Sequence, residues 1–362
     1  MASEAVDVSA GRLVVPDVLR GVAILAMLIA HSKRLLPPMG GSASFVTGNI
    51  SDLASPLFAL VLGLSAQILL QRTPHASRPL MLVQQGIRGV VLIALGLWLS
   101  TWGTWVDIIL SHLGVVVILG VPLLLLSTRW VASIAVALAV LSDPLNTWAR
   151  EALWPLMLGA SPVVAYTSSW VFLGASYRVT NLLPFFLLGA LLMRHGFRRD
   201  RTLLIMAAAA PIAYLVRPVL ERVTRSPEAV SGSIPDTLHD VGLVFATYVV
   251  IVLLATVRQP RPARIIAIAF EPLRAIGATA LSIYLFHVGL LALMTRWGYV
   301  PIWDGYAQWA LIVVGVTVIG WVWWRFIGVG PVEWLLGWVT LRPKRWRRDR
   351  ADSAVEGAST GR

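Results

Sequence analysis

The sequence predicts an all-α fold, a polytopic membrane helix bundle of about ten transmembrane helices with N-terminus and C-terminus both inside. Composition is the first reason. Of 362 residues, 57% are hydrophobic and 13% charged, with mean hydropathy +0.76, whereas soluble domains carry about 25% charged residues. The second is the recurrence of apolar stretches about 20 residues long, the length that crosses a bilayer. The third is the placement of the 30 Lys and Arg residues, which gather in alternate connections.

The stretches run over 14–35, 52–71, 86–101, 107–126, 131–148, 180–193, 202–220, 238–257, 274–295 and 307–327. The first follows a polar stretch, Met1 to Arg12, carries Asp17 and Arg20, and lacks a small-residue cleavage site. It reads as a retained helix, not a signal peptide. Arg72 closes the second stretch, and Arg78 and Arg88 lie before and within the third. Arg129 falls between the fourth and fifth. From Arg150 to Tyr177 the chain is half apolar and broken by Pro155 and Pro162, with a Tyr166-Thr167-Ser168-Ser169-Trp170 patch. Irregular backbone at membrane depth must be buried or line a cavity, so this segment is a re-entrant pair, an outer cap or a plain surface loop. The sixth stretch runs into Arg194, Arg198, Arg199 and Arg201, the eighth into Arg258, Arg261 and Arg264, and Arg274 opens the ninth. The segment from Glu221 to Asp240, with Glu228, Asp236 and His239, is a solvated outer loop or a substrate contact. After the tenth stretch a basic run from Arg342 to Arg350 begins a tail.

With the N-terminus inside, most of these cations face the cytoplasm, as the positive-inside rule requires. The net charge of +12 is thereby topological, and nucleic acid is not expected as a partner. Residues 1–340 form one transmembrane domain, and 341–362 a basic, disordered cytoplasmic tail. Several of the 16 tryptophans (Trp98, Trp102, Trp105, Trp297, Trp303, Trp321, Trp323, Trp324) suit interface anchoring. There is no cysteine, which removes disulfides, thiol nucleophiles and thiolate metal sites. The histidines have no metal-like spacing, so no metal is expected.

Candidate chemistry starts on the first helix. Charged groups inside an apolar span cost roughly 2.5–3.5 kcal/mol each on insertion scales and mark interiors, cavities or pathways. Arg20 and His31 are eleven residues apart, about three turns, which places them on one face roughly 16 Å apart along the axis. Asp17, three residues before Arg20, shares that stripe and can pair with it. Arg20 thus suits a phosphate or carboxylate, or serves a structural pair with Asp17. His31 lies near the outer end and Asp52 at the outer start of the second helix. Neutral imidazole is suited to deprotonating a hydroxyl or amine, and a nearby carboxylate would orient it; otherwise His31 is an interfacial residue beside Lys33 and Arg34. His112, with Asp107 five residues back, His287 in mid-helix and Tyr284 beside it are candidates for lining a cavity or for burial in the core.

Asp17-Val18-Leu19-Arg20-Gly21, with His31 after ten intervening residues, resembles the arginine-ten-residues-histidine signature of the transmembrane acyltransferase superfamily. That group includes the acyltransferase-3 enzymes, the heparan-α-glucosaminide N-acetyltransferases and the bacterial YeiB-type proteins. Ser51-Asp52-Leu53-Ala54-Ser55-Pro56-Leu57-Phe58 through Gly63, the stretch from Gly277 to His287, and Gly330-Pro331-Val332-Glu333-Trp334-Leu335-Leu336 are similar as well. The last is similar to the closing motif of YeiB-type chains. YeiB-type chains commonly have asparagine where His31 stands, which brings this chain nearer acyltransferase-3. Heparan-type enzymes carry a reactive histidine before the second helix, and Ser32 to Asp52 contains none.

The resemblance implies a membrane acyltransferase in the cytoplasmic membrane of a bacterium. It would move an acyl group, acetyl foremost, from cytoplasmic acyl-CoA to a hydroxyl or amine of an extracytoplasmic glycan or glycolipid. Acyl-CoA is then a co-substrate, with no metal. His31 would be the general base and Arg20 would help hold the donor; the short connection offers Asp52 as partner to His31, and the stripe and the basic inner side add Asp17, Arg78 and Arg88 to the donor site, the last two otherwise being positive-inside anchors. Lipid bilayer and acceptor are the expected partners, with a homodimer left open. The alternative from another class is a transporter or flippase with Arg20 and His31 lining the path.

Overall fold

In a computed structural model of the chain, the structure describes residues 14–38, 40–157, 159–224, 231–298 and 305–341. The polar stretch before residue 14, Glu228, Trp303 and the basic tail from 342 lie outside the described residues.

Every described element is helical or a turn: α1 (Val14–Ser32), α2 (Gly41–Arg72), α3 (Arg78–Ser100), α4 (Leu110–Leu123), α5 (Thr128–Leu153), α6 (Pro162–Ser168), α7 (Val179–His195), α8 (Arg201–Thr224), α9 (Ile234–Ala255), α10 (Pro260–Ala278), α11 (Ala280–Arg296), α12 (Tyr306–Ala310), α13 (Val316–Phe326) and α14 (Pro331–Val339). Each apolar stretch expected from the sequence falls on a helix. Seven helical segments are long and apolar enough to cross a membrane, or eight if the bent pair α10–α11 is one span. The difference from about ten lies chiefly in α4 and α7: a helix of 14 residues is about 21 Å long, short of the roughly 30 Å hydrocarbon core.

Two elements depart from expectation. α2 begins at Gly41, not near Asp52, and its 32 residues measure about 48 Å, so one end projects well past a hydrocarbon layer. The predicted span at 274–295 is two helices that meet at Thr279 with a 75° bend. The segment between Arg150 and Tyr177 folds as a turn, the short helix α6 and a wide turn at Ser169–Leu173, which packs beside α4, α5 and α7.

Close backbone crossings hold the centre. A Cβ on Gly63 of α2 would stand 1.8 Å from the Phe186 carbonyl oxygen, and one on Gly189 of α7 would stand 1.9 Å from that of Leu60. Across α1 and α10, Gly21 meets the Leu273 carbonyl and Gly277 that of Asp17, at 2.0 and 2.2 Å from a hypothetical Cβ. Small residues at crossings let helices in lipid gain the van der Waals contact that hydrophobicity does not supply there.

The connections collect at two ends. At one, Arg194 donates to Gln67 Oε1, to the Leu124 and Leu126 carbonyls and to Thr128 Oγ1, while Arg199 donates to Thr256 Oγ1. At the other, Gly305 N donates to the Leu35 carbonyl, Trp105 Nε1 to the His31 carbonyl, and Ser176 Oγ to Asp107. Arg20 lies toward the first end and His31 toward the second.

Candidate functional site

The break between α10 and α11 opens a site. A discontinuous helix frees carbonyls on one half and N–H groups on the other, and in an apolar interior both need partners. Arg20 Nη1 donates to the Gly277 carbonyl at 3.3 Å and to Asp17 Oδ1 at 3.1 Å, and its Nη2 donates to Ser65 Oγ at 2.6 Å. Glu333, from α14, accepts from the N–H groups of Leu281 (2.6 Å) and Ser282 (3.2 Å) and from Ser282 Oγ.

These groups line one cavity of about 410 Å³, with Asp17, Arg20, Ser65, Arg72, Arg88 and Glu333 on its walls. Three arginines face two carboxylates there. Asp17 is committed to Arg20 and Glu333 to the start of α11. The buried Nε of Arg88 has no hydrogen-bond partner among the described residues. The positive end of the α11 dipole points the same way. An anion is the chemically matched occupant, with the guanidinium groups as its donors.

Toward the other end of α1, His31 Nδ1 lies 2.9 Å from His287 Nε2 on α11. The rings are stacked, with centroids 5.2 Å apart. His287 is fully buried, and Tyr284 packs edge-on against it at 5.3 Å. The buried His287 Nδ1 has no hydrogen-bond partner among the described residues. In the tautomer with its hydrogen on Nδ1, His287 presents Nε2 as an acceptor. His31 Nδ1 is then the donor, and His31 Nε2 keeps its lone pair. The charge of Asp107 acts on His31, His112 and Tyr284 alike. Tyr177, edge-on to His112 at 5.7 Å, is pushed up to about 12 by burial, with Asp107 adding to the rise, and remains a neutral donor.

The model of an acyltransferase domain matches residues 14–325, from the first turn of α1 to the last turn of α13. The chain belongs to the acyltransferase-3 family. No curated protein matches it. Membership makes this acyltransferase-family chain a multi-pass membrane protein, and acyl transfer the activity its site has to be read against.

The structure brings some of the expected residues together and leaves others apart. Asp17, Arg20 and Arg88 share the arginine-lined cavity. Arg78 lines a separate depression with Gln67, Gln71 and Arg194. His31, His287 and Tyr284 form one cluster, with His112 linked to it through the field of Asp107. Asp52 stands elsewhere: its carboxylate lies 3.2 Å from Arg217 Nη1 and 3.7 Å from His239 Nε2, and no hydrogen bond or ion pair joins it to His31 among the described residues. Arg217 also pairs with Glu221 and Asp236, so this part of the segment from Glu221 to Asp240 is an ion-pair cluster between α2, α8 and α9. Sequence reasoning missed Ser65, Arg72 and Glu333 in the cavity, although Glu333 sits in a stretch whose resemblance had been noted. Among the described residues there is no group of His, Cys, Asp or Glu that could hold a metal ion.

Proposed function

We propose that this acyltransferase-3 chain moves an acyl group, acetyl foremost, from acyl-CoA to a hydroxyl or amine of an extracytoplasmic carbohydrate acceptor. The observation that carries the reading is the His31–His287 pair at one end of α1 with an arginine-lined cavity at the other. The donor's phosphates suit Arg20 and Arg88. Its extended pantetheine arm suits the roughly 16 Å between Arg20 and His31. His31 Nε2 takes the proton as the acceptor oxygen or nitrogen attacks the thioester carbonyl. The tetrahedral intermediate collapses with loss of the C–S bond, and the CoA sulfur leaves, taking the proton from His31. The His287 Nε2 acceptor holds His31 in the required tautomer and stabilises the imidazolium that forms. The positive-inside distribution supports an orientation with the arginine cavity toward the cytoplasm and His31 toward the outside, in a bacterial cytoplasmic membrane.

The broken span α10–α11 also favours a second reading, since discontinuous helices hold substrates in transporters. One assay separates the two. Purified protein in nanodiscs, given acetyl-CoA and a glycan acceptor, releases free CoA thiol only when acceptor is present if the chain is a transferase. A transporter moves its substrate unchanged and releases none.

A further inference from the structure

The face of α11 opposite His287 borders a second and larger hollow. Ser282, the adjacent pair Leu285 and Phe286, Gly289, Leu293 and Arg296 recur every three or four residues along one stripe of the helix and line a groove of about 700 Å³ bordered on its other side by Thr101 and Trp102. From Ser282 to Arg296 the stripe spans about 21 Å. Its lower end, with Val332, touches the loop and helix that carry Glu333; its upper end carries a cation. No carboxylate lies within ion-pair distance of Arg296 among the described residues. Trp297 beside it is 79% exposed and Trp98 52% exposed, with Trp98 packed on Trp102 at 4.8 Å. Exposed tryptophans at such a level mark a headgroup interface, where a phosphate would meet Arg296. The turn that supplies Thr101 and Trp102 to the groove also supplies Trp105, whose Nε1 bonds the His31 carbonyl at 3.1 Å.

We propose that this groove binds the acceptor through a lipid carrier. A long alkyl chain lies along Leu285, Phe286 and Leu293, a phosphate pairs with Arg296, and the carried glycan stands above Trp102, on the turn whose Trp105 bonds the His31 carbonyl. Charge complementarity at Arg296, the apolar walls, and the shared turn with His31 argue for this occupant over a neutral one. The acceptor role rests on the acyl-transfer reading; lipid occupancy of the groove does not.

Photolabelling of the full-length protein in nanodiscs tests it, with a diazirine-bearing alkyl phosphate and a neutral alkyl alcohol of the same chain length as probes. The phosphate probe should label peptides spanning Leu285 to Leu293, and the neutral probe only weakly. Arg296→Gln, an exposed position, should cut labelling by about tenfold, the scale of a lost charge-assisted hydrogen bond. Gly289→Phe should cut it likewise, because a Cβ there meets only the Trp102 ring at 3.5 Å and the added ring fills the groove. Equal labelling by both probes, or labelling indifferent to Arg296→Gln, would mean ordinary annular lipid and overturn the proposal. In Gly289→Phe, acetyl-CoA affinity should stay at the wild-type value while transfer to a lipid-linked acceptor falls; unchanged transfer removes the acceptor role. If the wild-type protein fails to bind acetyl-CoA at all, the acyl-transfer reading fails while the labelling still decides what the groove holds.

Discussion

His31 Nδ1 and His287 Nε2 meet at 2.9 Å across 256 residues of sequence, so that the first helix and the second half of the broken span share one hydrogen bond. With His287 Nε2 as the acceptor of that bond, His31 Nε2 is left as the basic nitrogen. On the acyl-transfer proposal, His287 is therefore a positioning residue. His287→Ala should lower kcat about tenfold with KM for the donor unchanged, a fraction of the effect of a general base. His287→Gln, whose amide oxygen can accept from His31 Nδ1, should recover part of the loss. Equal loss in both variants would leave a packing role only, which thermal unfolding would reveal.

The arginine cavity makes a separate prediction. Arg88→Gln should weaken acetyl-CoA binding about tenfold to hundredfold, as expected when a charge-assisted bond is lost, and isothermal titration in detergent reads it directly. Arg20→Gln should do the same and also destabilise the fold, because Arg20 holds the Gly277 carbonyl and Ser65. Arg78→Gln, which lines a different depression, should leave donor affinity near the wild-type value.

Glu333 caps the start of α11. Glu333→Ala should cost about 1 kcal/mol, the scale of a lost N-cap, read as a lower midpoint of thermal unfolding. Glu333→Gln keeps one acceptor oxygen and removes a negative charge from the cavity. It should lose less stability and bind acetyl-CoA more tightly than the wild type, since the remaining charges there are mostly arginines.

The crossing of α2 and α7 depends on glycine. Gly63→Val places atoms where the Phe186 carbonyl already stands, and overpacking of this kind costs typically about 1–3 kcal/mol. Its unfolding midpoint should fall well below that of Gly86→Val, a glycine with nothing within 4 Å of a Cβ.

Much of the bundle was legible because hydropathy is written continuously along the chain: each expected stretch fell on a helix. The Arg20–His31 stripe was legible for the same reason in reverse, since charge inside an apolar helix stands out. What escaped was pairing at long range. His287 was visible as a candidate but its partner was not, because nothing local ties residue 31 to residue 287. Asp52 was expected near His31 on the strength of a short connection. The helix in fact begins at Gly41, so Asp52 sits three turns along α2 and meets Arg217 and His239 from α8 and α9. The break at Thr279 lacks a proline or an obvious turn signal, and its causes, the close approach of Gly277 to Asp17 and the cap from Glu333, are both tertiary.

The most direct test of the account is acceptor-dependent release of CoA from acetyl-CoA by purified His31→Ala protein in nanodiscs, beside the wild type. The variant is expected to stay folded, with an unfolding midpoint lowered by no more than the loss of one buried hydrogen bond, and to keep the wild-type acetyl-CoA affinity while its rate falls about 10²–10⁴-fold, the contribution of a general base. A folded His31→Ala protein that releases CoA at the wild-type rate would contradict it.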